Sequence, residues 1–319
     1  MTTTGVILRI IRKIPLLREI AINSLRRRVL DEKRRLRLNK WYYHLDMDSL
    51  SVFQNIFCKI FRNNGTTSSE GFWEVKFRSS KILMPLRPEK MWLDWDSAVS
   101  ILGHDQDVKE TYINLLNASL VNVFFDLGAN YGTHSLLFLS QGIKTVSFEP
   151  NNTLNENFEF LCRLNNLKGR MENVALSNSE GEINLYFPEN ESWLGTIEAG
   201  VASDLNTKHK LSILKVPVTT LDKYVLENDI YPDLLKIDTE GNELNVFKGA
   251  QTILDKYRPY IIFESNTPKD REEIWDLLTR HDYLVLGLPF KLGMDKNPYD
   301  RATFTSLKQF NYIAVPKEK

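Results

Sequence analysis

The sequence is poor in the features that mark secreted, membrane-spanning or zinc-bound proteins. Its 319 residues hold two cysteines, Cys58 and Cys162, too few for a disulfide framework. No cluster of Cys and His has zinc-ligand spacing. These absences predict a reducing compartment and a cytoplasmic protein. No uncharged run approaches the ~18–20 residues of a membrane span, and early arginines interrupt any signal-peptide core. Internal repeats and low-complexity tracts are missing too. Asn-x-Ser/Thr matches occur at Asn64, Asn117, Asn151 and Asn190, but Asn151 falls in the expected site, so they are read as chance. Also absent is the dinucleotide fingerprint G-x-G-x-x-G, which disfavours a nicotinamide-dependent oxidoreductase.

In its place, the apolar run Val121-Asn122-Val123-Phe124-Phe125 meets Asp126-Leu127-Gly128-Ala129-Asn130-Tyr131-Gly132-Thr133-His134. This pattern predicts a buried strand that stops at a glycine turn and re-enters a helix over 135–140, closed by Gly142. Gly128 and Gly132 are expected to turn the backbone tightly and to let a ligand lie against the main chain, under the free amides of the new helix. Asn130 stands where the fingerprint needs glycine. That weakens a phosphate cradle and suits a neutral or cationic ligand whose ribose and amino-acid ends are hydrogen-bonded. A second strand over 145–149 ends in Glu149, at the place where ribose hydroxyls are gripped.

Asp126-Leu127-Gly128-Ala129-Asn130-Tyr131-Gly132, Phe148-Glu149-Pro150 and Leu235-Lys236-Ile237-Asp238-Thr239-Glu240-Gly241-Asn242-Glu243 resemble, in order, the FkbM family of S-adenosylmethionine-dependent methyltransferases. The resemblance covers about residues 105–265. Alternating strands and helices already predict a parallel α/β sheet; the resemblance implies a Rossmann-like class I methyltransferase fold, with seven mostly parallel strands, the last antiparallel, and helices on both faces. It also implies S-adenosyl-L-methionine as cofactor and O-methylation of a hydroxyl on a small molecule, a sugar or glycan or a polyketide-like compound. A non-catalytic scaffold that keeps the fold is the rival from another class.

On that basis Gly128 and Gly132 form the cofactor turn, Asn130 and Tyr131 hold the methionyl end, Glu149 binds the ribose, and Asn173, Val174 and Ala175 flank the adenine. Asp126 or Asp238 is expected near the sulfonium. Asp238 and Glu240 are expected to face the reacting centre. His134, on the first helical turn, is a second candidate base and also fits a helix residue packed against the sheet, the reading preferred for it. Glu240 and Glu243 also fit acids placed at a helix N-terminus, and Lys236 fits an ion pair with a neighbouring acid. Asp238, Glu240 and Glu264 supply hard oxygens that suit magnesium, but only their number supports a metal and none is predicted.

The chain divides into a basic arm over 1–45, a variable region over 46–104 that could cover the acceptor, and the methyltransferase domain over 105–319. Residues 1–40 hold 12 Lys and Arg against 3 acids, which makes the arm +9 in a chain of zero net charge. Ile7, Ile10, Ile11, Ile14, Leu17, Ala21 and Leu25 recur at helical spacing among Arg9, Arg12, Lys13 and Arg18, so 6–30 is predicted as one amphipathic basic helix, bent at Pro15. Such a helix fits a peripheral anchor on anionic lipid, or a helix packed on the acidic body or on a second copy in a homo-oligomer. Nucleic acid is not expected, because aromatics are not interleaved with the charges and only Trp41-Tyr42-Tyr43 follow.

Overall fold

A residue ahead of proline is steered away from helical backbone. Ile14 accordingly takes φ −100° and ψ 111°, ending α1 (Thr3–Lys13) where α2 (Pro15–Leu30) begins with proline at its first turn. Asp31 is extended in the same way and separates α2 from α3 (Glu32–Tyr42). The single bent helix expected over 6–30 is thus two helices, and α3 adds a third. The computed structural model describes residues 3–42, 44–45, 49, 53, 72–85, 105–188, 195–265, 268–293 and 297–319. Among these no helix is long and apolar enough to cross a membrane.

The chain forms two compact units, Met1–Lys109 and Glu110–Lys319. In the first, β1 (Phe72–Phe77) and β2 (Ser80–Pro85) pair as an antiparallel hairpin. The alternation expected for Phe72–Phe77 is observed, with Trp73, Val75 and Phe77 buried. Tyr42 packs its ring on Trp73 and Phe53, at 5.4 and 5.3 Å between centroids, and the Asn39 amide donates to the Glu74 carbonyl. Trp73 is therefore a core residue, and Tyr42 is no stacking platform for a base. Periodicity predicts a helix over 49–61 and the polar run over 63–69 a loop, with Trp92 and Trp95 as further apolar anchors beside Trp73; Ser49 and Phe53 are helical, and the rest of the helix, the loop, Trp92 and Trp95 lie outside the described residues.

Helix α4 (Gln106–Asn117) leads into the second unit, which continues with β3 (Val123–Leu127), α5 (Thr133–Leu139), β4 (Lys144–Phe148), α6 (Asn155–Leu164) and β5 (Arg170–Glu172). Then come β6 (Ala175–Leu176), β7 (Gly181–Pro188), α7 (Ala199–Asn206), β8 (Leu211–Thr219), α8 (Leu221–Asn228), β9 (Leu234–Ile237), α9 (Glu243–Lys248), β10 (Tyr260–Glu264), α10 (Pro268–Arg280), β11 (Tyr283–Leu286), α11 (Arg301–Ser306) and β12 (Asn311–Pro316). Seven strands form the main sheet in the order β11-β12-β10-β9-β3-β4-β5, with β12 antiparallel to both neighbours and the rest parallel. Successive side chains of a strand face opposite ways. Phe124 stacks on Phe138 at 3.8 Å, beside Tyr112, whereas Phe125 meets Phe148 and Tyr224. Helices therefore cover both faces, which is why this strand reads as an unbroken apolar run.

Four elements differ from what periodicity and turn residues predict, which is a third strand over 171–176, a helix over 242–254, an insertion over 188–212 rich in Glu, Asn, Ser and Gly, and no helix over 301–306. The third strand, expected over 171–176, is split. Asn173 donates to the Glu149 carbonyl and accepts from Asn155, which takes the chain out of the ladder, and Ala175–Leu176 pair instead with β8 in a separate three-stranded sheet. The helix expected over 242–254 stops at Gly249, where a Cβ would overlap the Ser177 carbonyl oxygen, and a π-turn follows at Ile253–Tyr257. The insertion over 188–212 contains α7. Helix α11 was not expected, being short and polar with Phe304 as its one buried residue.

Candidate active site

Strand register decides which residues meet. Leu127 of β3 pairs with Phe148 of β4 and with Ile237 of β9, and Ile237 pairs with Phe263 of β10. The residues that follow, Gly128, Glu149, Asp238 and Glu264, therefore stand along one carboxyl edge, where open α/β sheets bind ligands.

The turn after β3 is left-handed at Gly128 (φ 78°), Asn130 (φ 51°) and Gly132 (φ 71°). A Cβ on Gly128 would overlap the Asp238 carbonyl oxygen, and one on Gly132 would overlap the Phe158 ring. These glycines admit the chain's own backbone and a core ring; the ligand approach expected of them is not what demands glycine. Asp126 anchors the new helix: it is buried, and one oxygen accepts the Ser135 amide at 3.1 Å and hydroxyl at 2.7 Å. Burial raises its pKa, against the pull of the Lys236 ammonium and the Ser135 bonds.

Glu149 joins this turn to the next loop. Its two oxygens each accept one amide at 2.9 Å, from Asn130 and from Asn151. Burial pushes its carboxyl up to about 7, against those two hydrogen bonds. Buried polar atoms normally find partners, yet Asn130 Oδ1, Asn151 Nδ2 and Asp126 Oδ1 have none among the described residues. A glycine turn carrying unsatisfied polar atoms and a carboxylate with lone pairs to spare fits the ribose and amino-acid ends of S-adenosylmethionine. Tyr131 is buried at the same turn. Val174 packs against the main core, and Ala175 lies in the core of the small sheet.

At the tips of β9 and β10, Asp238, Glu240 and Glu264 bring one oxygen each within 4.8 Å of one another. Among the described residues this is the one acidic set close enough to share a divalent cation. It already has a cation beside it: buried Lys236 places its ammonium 2.7 Å from Asp238, the ion pair expected of that lysine. Burial, and then the Asp238 charge, push Glu240 up to about 8; burial, the Asp238 charge and a hydrogen bond with Asp238 push Glu264 up to about 9. Glu243 instead closes the loop, accepting the Thr239 amide and hydroxyl and the Gly241 amide. Above this loop the insertion packs down: the Thr196 hydroxyl donates to the Glu240 carbonyl, and Asn245 donates to Glu198.

His134 is half-buried, its Nδ1 3.1 Å from the Tyr112 hydroxyl of α4 with the rings edge-on. Sequence reasoning gave Glu264 no catalytic role, because a strand-end acid carries no signal of what stands on the neighbouring strand. A depression lined by Ile143, Lys144, Lys168 and Arg170 opens at the amino ends of β4 and β5, away from this edge.

Two predictions arise here. Glu149→Gln keeps the shape and removes the charge that Glu149 carries above about pH 7, so in that range cofactor affinity should fall by ~1.5–3 kcal/mol, the range for hydrogen bonds to charged groups. Titration calorimetry of a folded variant with unchanged affinity would end the ribose assignment. The second concerns pH. Glu149, Glu240 and Glu264 hold protons in the folded chain at pH values where the unfolded chain, near 4.5, has released them. Their stabilising contribution is full below pH 4.5 and is lost as pH rises through about 7, 8 and 9. Glu264→Gln should therefore flatten the decline of thermal midpoint across that window, and parallel curves would contradict the assignment.

No curated protein sequence matches the chain. Among solved structures it is similar to an FkbM methyltransferase from Methylobacillus flagellatus KT, at 15% identity and TM-score 0.41, over 69% of this chain and 53% of that one. The match spans about half the length of that protein. It is also similar to a precorrin-6y C5,15-methyltransferase from Geobacter metallireducens GS-15, at 11% identity and TM-score 0.34, over 72% and 93% of the two chains. A third is the O-methyltransferase of a trans-AT PKS multienzyme from Brevibacillus brevis, in complex with S-adenosyl-L-homocysteine, at 15% identity and TM-score 0.33, over 56% and 52%. The sequence model of the methyltransferase FkbM domain matches residues 126–285, from the tip of β3 into β11 and through every residue of the acidic cluster. That match takes in half of the chain, and the protein belongs to the FkbM methyltransferase family.

Proposed function

We propose that this protein is an S-adenosylmethionine-dependent O-methyltransferase acting on a hydroxyl of a sugar, a glycan or a polyketide-like small molecule. The observation that carries the reading is the carboxyl cluster of Asp238, Glu240 and Glu264 on the same sheet edge as the glycine turn and Glu149. Bound S-adenosylmethionine supplies an electrophilic methyl group. Gly128, Asn130, Tyr131 and Glu149 would hold it, with Asn173 beside them.

The chain's own residues then have two tasks, alignment and removal of the acceptor proton. Carboxyls accept hydrogen bonds from hydroxyls, so the cluster suits a polyhydroxylated acceptor. Asp238 receives the proton of the reacting hydroxyl. Lys236 orients the Asp238 carboxylate through one oxygen, and Glu264 through a hydrogen bond. Glu240 and Glu264, pushed up to about 8 and 9, hold protons near neutral pH and there donate hydrogen bonds to the acceptor's oxygens, leaving Asp238 to take the proton. The packing of Thr196 and Val201 on Glu240 and Gly241 supports a role for the insertion in covering the acceptor.

Titration with S-adenosylmethionine and with nicotinamide dinucleotides separates this reading from an oxidoreductase. Transfer of a radiolabelled methyl group to a panel of glycans and polyketides then tests the acceptor class. Cofactor binding without transfer to any acceptor would favour the non-catalytic scaffold.

A further inference from the structure

The amino-terminal helices show a second surface, independent of the catalytic reading. In α1, Gly5 and Leu8 are buried, whereas Val6, Ile7 and Ile10 are 44–52% exposed. In α2 the same i, i+1, i+4 spacing recurs as Leu16, Leu17 and Ile20, 39–67% exposed. Between the two sets, Ile14 is exposed at the extended break before Pro15. Single exposed aliphatics are ordinary. Seven exposed aliphatics within fifteen residues, in two successive helical sets, are apolar surface of the kind that marks an interaction site.

The charge around the patch says what covers it. Arg12 and Lys13 at the end of α1 and Arg27 and Arg28 near the end of α2 are exposed, within an arm of +9 that holds 3 acids. No aromatic occurs in residues 1–40, so the Trp and Tyr anchors that dominate protein interfaces are missing. Aliphatic groups beside long basic side chains need only an apolar layer under negative headgroups. No helix among the described residues spans a bilayer, so the contact is at its surface. We propose that α1 and the start of α2 dock this enzyme onto an anionic lipid surface, inserting Ile7, Ile10 and Leu17 while the arginines and lysines meet the headgroups.

The test is vesicle sedimentation of the full chain with phosphatidylcholine alone and with phosphatidylcholine containing phosphatidylserine. Binding is expected to the anionic vesicles only. It should weaken at least about tenfold when salt shortens the screening length from about 30 Å at 0.01 M to about 3 Å at 1 M. Ile7→Asn combined with Ile10→Asn keeps the charge and alters exposed positions alone, and should weaken partition at least about tenfold. Arg12→Gln with Lys13→Gln should weaken it and reduce its salt dependence. Equal binding to neutral vesicles, no binding at low salt, or full binding by the Ile7→Asn, Ile10→Asn chain would overturn the proposal. So would a lipid-free dimer, seen by light scattering, that the two asparagines dissolve, since the face would then belong to a second copy.

Discussion

An Asp238→Asn enzyme is expected to lose about 10²–10⁴ in turnover, the range for a lost general base, with cofactor affinity nearly unchanged. The substitution keeps the shape of the side chain at the tip of β9 and removes its basicity. It also removes the negative partner of the buried Lys236, so some loss of stability should accompany it. Lys236→Met with Asp238→Asn distinguishes the two effects: it should recover stability and leave turnover low. His134→Ala is the control for the competing base. Because that imidazole is engaged with the Tyr112 hydroxyl, its loss should change turnover far less. A larger loss of turnover in His134→Ala than in Asp238→Asn would reverse the assignment, and near-native turnover in both would mean that alignment and exclusion of water suffice. Collapse of cofactor binding in Asp238→Asn would move that residue into the cofactor site.

Gly128→Ala should be the most destabilising single-methyl change in the catalytic unit. Left-handed backbone costs an L-residue about 1–2 kcal/mol, and here the added Cβ would also overlap the Asp238 carbonyl oxygen, which sits on rigid backbone between two strands. Forcing that backbone aside adds about 1–3 kcal/mol. The expected loss is therefore about 2–5 kcal/mol in denaturant unfolding, along with activity, because β3 and β9 must part where the site is built. Gly142→Ala is the matched control. Its φ of 75° is nearly the same, but no atom lies within 4 Å of the added Cβ, so only the conformational cost remains. Similar losses in both variants would show that the close approach at Gly128 contributes nothing.

The sequence by itself determined the main sheet and the place of the glycine turn. The apolar run over 121–125 predicts a buried strand, which forms as Val123–Leu127, and the ordered motifs at 126–132, 148–150 and 235–243 identified the family before any strand was paired. Residues next to each other in sequence carry such signals through periodicity and turn chemistry. It was also legible that Lys236 would pair with a nearby acid. What periodicity could not show is where a strand leaves one sheet for another, as the chain does at Asn173, or that Gly249 ends a helix because the Ser177 carbonyl lies against it.

The site divides along the same line. Asp126, Gly128 and Glu149 were readable as a local pattern, but the meaning of the glycines was not: the atoms they make room for belong to Asp238 and Phe158, far away in sequence. Glu264 joins Asp238 because β10 runs parallel to β9 in a register that ends both strands together. The raised pKa values of Glu240 and Glu264 come from burial and crowding of like charges that the chain assembles only on folding. Composition likewise told that the arm is basic, while the packing of Gly5 and Leu8 decided which of its isoleucines remain exposed. Pairing across a sheet and burial within a core depend on residues far apart in sequence, so tertiary structure alone decided them.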